Sequence, residues 1–219
     1  MDYIFKILLV MHIIGGSIGL IAGTVSIIRK KGDDPHKLIG KLFFSGMLTA
    51  GFSSLALSMI HPNYFLLIVG IFTIYMTTTG QRYLKLKRLL QGQKPSFIDY
   101  TLTYAMLITS VAFIGFGVYL LIKSQNFGSV FLVFGVLSIR MVRKDLNNYK
   151  GKGADKNYWL IAHLQRMLGA YIASATAFMV VNNPRFLPDV IIWLLPTTII
   201  LPLIVKWTKK YKIKFSVKS

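Results

Sequence analysis

The side chains best suited to chemistry in this 219-residue chain are four histidines and a few arginines set in or beside apolar runs. His12 is followed by Gly15, Gly16, Gly19 and Gly23. Three of these recur every four residues, a stripe that lets a neighbouring helix or a flat ligand come close to the backbone. His36 stands in Asp33-Asp34-Pro35-His36-Lys37, where an aspartate cap followed by proline makes a good helix start. His163 and Arg166 are three residues apart and share a helix face. Arg166 falls inside an apolar segment, where a charge needs a partner or a route to the surface. Candidate partners are Asp99, a lipid headgroup, a bound anion or a propionate. Imidazole is a metal and haem ligand, and guanidinium recognises carboxylate and phosphate. The candidate ligand-binding residues are therefore His12, Arg82, Arg140, His163 and Arg166, and the candidate metal or haem pair is His36 with His163.

Much other chemistry is excluded by composition. There is no cysteine, hence no disulfide, thiolate metal site or thiol nucleophile. There is no glutamate either; the seven acids are Asp2, Asp33, Asp34, Asp99, Asp145, Asp155 and Asp189. A His-Glu zinc motif is thus ruled out, and no nucleophile elbow is present. No carboxylate falls in the middle of an apolar run, so the usual carboxylate relay of a transporter is missing. Tyr75, Thr77, Thr78, Thr79 and Gln81 make one polar stretch, and such hydroxyls commonly bond to their own helix.

The elements that must hold these residues are long and apolar. Hydrophobic residues make up 54% of the chain, charged residues only 15%, and mean hydropathy is +0.57. A soluble domain carries about a quarter charged residues, so the apolar runs call for a bilayer as solvent. Seven segments approach the ~20 residues that a crossing helix needs: 3–28, 38–60, 64–80, 100–122, 128–139, 159–181 and 187–205. The first has a weakly basic start and an apolar stretch too long for a cleaved signal, so it reads as a retained span. The fifth is the shortest, cut by Arg140 and Arg143. Pro196 and Pro202 predict a kink in the last.

Charge distribution orders the segments. Of 26 lysines and arginines, all but Lys6, Lys123 and Arg185 fall on one side if all seven segments cross. The positive-inside rule then sets the N-terminus outside and the C-terminus in the cytoplasm. The fold class expected is all-α: a seven-span transmembrane bundle over residues 1–205 with a basic cytoplasmic tail, 206–219. The net charge of +19 is mainly a topology signal, with attraction to anionic phospholipids as its by-product. Nucleic acid is excluded as a partner, since the cations flank spans instead of lining one soluble face. A second pattern hints at duplication: Met47-Leu48-Thr49 through Gly70-Ile71-Phe72 parallels Met106-Leu107-Ile108 through Gly135-Val136-Leu137.

His12 with its glycines, His36-Lys37-Leu38-Ile39-Gly40-Lys41, Tyr75…Gly80-Gln81-Arg82 and His163-Leu164-Gln165-Arg166 together carry a resemblance. The chain resembles a family of uncharacterised multi-pass bacterial membrane proteins, a domain of unknown function common in Bacteroidetes. That likeness implies a bacterial inner-membrane location and transfers no activity. A more distant likeness to b-type cytochromes is limited by depth: at the helical rise, His12 and His163 differ by ~15 Å, whereas His36 and His163 lie within ~10 Å.

The expected function is binding, without catalysis: a small molecule, lipid or partner protein held on the cytoplasmic side by Arg82, Arg140, His163 and Arg166. The alternatives are a b-type haem protein using His36 and His163, and a small transporter. The glycine stripe further predicts a close helix neighbour, within the protein or across a homo-oligomer or other membrane-protein interface.

Overall fold

The computed structural model describes residues 2–153, 155–183 and 187–216, with side chains to residue 212. Arg185, one of the three outlying cations, and Lys218 of the basic tail lie outside the described residues. All regular structure among the described residues is helical: α1 Asp2–Ile28, α2 Asp34–Ile60, α3 Tyr64–Tyr83, a 3₁₀ turn Leu89–Gln91, α4 Phe97–Ile122, α5 Gly128–Tyr149, α6 Tyr158–Val181 and α7 Asp189–Ser216. Six of these helices, all but α5, are long and apolar enough to cross a membrane. α7 continues through Pro196 and Pro202 and carries the first part of the basic tail as helix.

Helix α5 differs from the 128–139 segment expected for it. It runs ten residues further, because Arg140 to Tyr149 is amphipathic. Val142, Asp145, Asn148 and Tyr149 are buried, while Arg140, Arg143, Lys144 and Asn147 are exposed. Hydropathy alone misses this extension; the three-to-four residue spacing carries it.

The chain forms two compact units, residues 1–81 with 162–219, and residues 82–161. In the first, α2 lies directly on the glycine face of α1. A side chain at Gly46 would come within 2.7 Å of the Gly15 carbonyl and the Gly19 amide, and one at Gly15 would strike Thr49 at 2.9 Å. Gly23 faces Phe43 and Tyr171, whereas Gly16 sits aside with only Ala50 at 4.0 Å. Asp33 caps α2, accepting the His36 amide at 2.8 Å. Helices α6 and α7 meet through Leu164, Leu168 and Ile200, with Tyr171, Leu203 and Trp207 packed around them. Lys31 closes α1 by donating to the carbonyls of Ser26, Ile27 and Arg29 at 2.7–2.9 Å, and its ammonium stands 4.3 Å from the Trp207 ring centre. Burial lowers the pKa of that ammonium, and the orphan carbonyls of the helix end hold it in place.

In the second unit α4 and α5 form a tight hairpin. Side chains at Gly117 and Gly128 would each meet the other's carbonyl, and one at Gly135 would strike Ile114 and the Ser110 carbonyl. The first unit repeats the last detail: Gly70 packs on the Gly51 carbonyl and Leu55. Gly51 and Leu55 follow Met47 at the same intervals as Ser110 and Ile114 follow Met106. The paralleled segments therefore share a local packing geometry as well as a pattern.

Candidate functional site

In the first unit each candidate histidine has a backbone or ring partner, or is packed at a helix start. His12 Nδ1 lies 3.0 Å from the Ala50 carbonyl of α2. His163 Nδ1 lies 2.8 Å from the Gly80 carbonyl. A carbonyl only accepts, so Nδ1 carries the proton in both, and the lone pair of the neutral ring sits on Nε2. Gly80 belongs to the last turn of α3, whose carbonyls have no intrahelical donor, so His163 satisfies an orphan group of that helix. His61 packs edge-on against Phe5. His36 Nδ1 is buried without a hydrogen-bond partner, and the ring lies within electrostatic reach of both Lys31 and His163.

Arg166 is 4% exposed and lies against α3. Its Nη1 donates to Thr79 Oγ1 at 3.1 Å, and its guanidinium carbon stands 4.7 Å from the Tyr75 ring centre. The absence of a side chain at Gly80 admits this approach, since a Cβ there would meet the Arg166 Cβ at 2.9 Å. Of the polar residues of α3, Tyr75 and Thr79 thus meet Arg166, Thr78 bonds the carbonyls of its own helix, and Thr73 and Thr77 are buried with unpartnered hydroxyls.

Arg82 and Arg140 belong to the second unit, His163 and Arg166 to the first. Arg82 is engaged by a neighbouring carboxylate. Its Nε and Nη2 donate to the two carboxylate oxygens of Asp99 at 2.7 and 2.8 Å, and Nη2 also reaches Ser96 Oγ at 2.7 Å. Asp99 in turn accepts the Ser96 amide, starting α4. This bidentate pair joins the end of α3 to the start of α4. Tyr158 clasps the intervening loop, donating to the Leu86 carbonyl and accepting from the Leu89 amide.

Arg140 instead joins three cations that sequence position alone leaves scattered. Arg140, Arg143 and Lys144 fall on one exposed face of α5, and the chain then reverses at Gly151, which adopts a φ of +69°. The Lys152 amide returns to the Asn147 carbonyl at 3.0 Å, bringing the fourth cation alongside. Together they wall an open groove of about 290 Å³ with Asn147, Asn148, Asp155, Tyr158 and Ile161. Four cations against one carboxylate make it a concentrated positive site. A second, wider concavity in the same unit is lined by Lys85, Lys87 and Arg88 with Gln91, Gly92 and Gln93. Among the described residues no three metal-ligating side chains converge.

No protein-family model, curated protein or solved structure matches the chain.

Proposed function

We propose that this is an inner-membrane protein that holds an anionic group, and above all the headgroup of an anionic phospholipid, in the groove of Arg140, Arg143, Lys144 and Lys152. Six apolar helices and the charge asymmetry support a seven-span topology with α5 as the fifth span, N-terminus outside. In that topology the groove opens on the cytoplasmic side, beside the point where α5 leaves the hydrocarbon. The resemblance to the multi-pass bacterial family supports the bacterial cytoplasmic membrane. The observation that carries the reading is the convergence of four cations with one acid in a single concavity. Scattered interfacial lysines serve topology without any groove, whereas here the turn at Gly151 adds Lys152 to three cations of α5. Polybasic segments at a cytoplasmic leaflet gain about 1 kcal/mol per cation near anionic lipid.

The test is lipid retention by the full chain purified in mild detergent. Wild type should carry or bind phosphatidylglycerol in preference to phosphatidylcholine. Arg140→Gln with Arg143→Gln should weaken phosphatidylglycerol binding about tenfold or more, from roughly 1 kcal/mol per charge. Unchanged binding in the double variant would defeat the reading.

A second reading, a haem held by His163 with His36, is favoured by one observation. Imidazoles that ligate a metal commonly donate their other N–H to a carbonyl, as His163 does to Gly80. Haem added to the purified protein should then give a Soret shift that His163→Ala abolishes; no shift in the wild type would remove this reading.

A further inference from the structure

One groove residue is held by a buried relay that the cations do not need. Asn148, 4% exposed, lines the groove. Its Nδ2 donates to the Tyr83 hydroxyl at 3.0 Å, and Tyr83 donates to Asp145 Oδ1 at 2.6 Å. Tyr83 and Asp145 are buried almost completely. The direction of this chain is fixed by chemistry: a carboxylate only accepts, so the phenol proton points to Asp145 and the phenol oxygen must accept from Asn148. The amide of Asn148 therefore has one orientation. Its nitrogen is turned inward, and Oδ1, which accepts no hydrogen bond from the described residues, is the acceptor that Asn148 has left where it lines the groove. Tyr158, which also lines the groove, uses its hydroxyl on Leu86 and Leu89.

Bare charge attraction calls for donors alone, and an acceptor facing four cations repels an anion's oxygen. We infer that the groove recognises a phosphate ester bearing a neighbouring hydroxyl, the phosphate lying on Arg140, Arg143, Lys144 and Lys152 and the hydroxyl donating to Asn148 Oδ1. The chemical class is a polyol phosphate, as in a phosphoglycerol headgroup or a soluble glycerol phosphate. A neutral amide suits a neutral hydroxyl, which a carboxylate there would also bind but at the expense of the phosphate's field. Asp145 and Tyr83 are positioning residues, acting through the orientation they impose on Asn148. The inference rests on the anion-binding reading of the groove and adds selectivity to it.

The experiment compares binding of phosphatidylglycerol and phosphatidylethanol, a phosphodiester of the same charge without a headgroup hydroxyl, each presented in phosphatidylcholine nanodiscs or vesicles, to the full-length protein. Wild type should favour phosphatidylglycerol about fivefold, the weight of one hydrogen bond near 1 kcal/mol. Asn148→Leu should erase that preference while both lipids still bind. Tyr83→Phe, which leaves Asn148 in place but frees its amide to rotate, should lower the preference too, and serves as the test if Asn148→Leu does not fold. A purely structural role for the relay would lower the melting temperature and leave the lipid ratio unchanged, which would overturn the inference. So would equal wild-type binding of the two lipids that still depends on Arg140 and Arg143, a result that spares the anion-binding reading. Loss of any dependence on those arginines would remove both. Competition by soluble glycerol phosphate at comparable concentration would identify a soluble ligand of this class, and its failure beside strong phosphatidylglycerol binding would identify the lipid.

Discussion

Replacing Asp99 with alanine should be among the most damaging single substitutions in the second unit, on the order of 3 kcal/mol. Its side chain is fully buried and takes both oxygens to Arg82, whose side chain is 23% exposed. Removing one member of a buried pair leaves the other charge desolvated and unmatched, a loss of about 3–5 kcal/mol, and the partial exposure of Arg82 places the expectation at the lower end. The start of α4 loses its cap as well, because Asp99 also accepts the Ser96 amide and hydroxyl. Thermal unfolding in detergent reads the result. Adding Arg82→Met to Asp99→Ala should recover part of the loss, since the stranded charge is then gone. A double variant as unstable as the sum of the two singles would show that the pair is not coupled.

The glycine crossing of α1 and α2 gives the second large effect, and it does not fall where the stripe alone would put it. At Gly19 an added side chain meets the flexible end of Met47, which can swing away. At Gly46 it meets backbone on both sides, at 2.7 Å from the Gly15 carbonyl and the Gly19 amide, and backbone cannot move aside without parting the helices. Gly46→Leu should therefore destabilise by on the order of 3 kcal/mol, at the high end for overpacking, and lower the melting temperature by roughly 10 °C. Gly19→Leu should do less, and Gly16→Ala, with its nearest neighbour at 4.0 Å, should leave the melting temperature unchanged. Equal losses at Gly46 and Gly16 would refute this geometry.

These examples mark what could be read from residues alone. Apolar runs set the six hydrophobic helices, because burial in hydrocarbon depends on composition more than on partners. The aspartate–proline start of α2 was legible for the same local reason. The glycine stripe on α1 was visible, yet its partner Gly46 was not, since a crossing point joins residues far apart in sequence. Arg82 and Asp99 lie 17 residues apart across a loop, and only the fold turns two candidate functional groups into one structural pair. The groove fared likewise. Arg140 was a candidate, but Arg143 and Lys144 read as flanking charge until α5 proved to continue as an amphipathic helix, and Lys152 joins them only through the turn at Gly151. The signal that could have found them was the spacing Arg140, Arg143, Lys144, Asn147, a helical face of cations.

The division of the chain bears on how it is made. The second unit comes from one uninterrupted stretch, 82–161, whereas the first is assembled from residues on either side of it. A ribosome therefore delivers α1, α2 and α3 well before α6, and α6 brings the imidazole that satisfies the Gly80 carbonyl and the guanidinium that lies on Tyr75 and Thr79. The order of synthesis thus sets a constraint: residues 82–161 can close from contiguous chain, whereas the contacts of α3 with α6 need a segment made only after those residues.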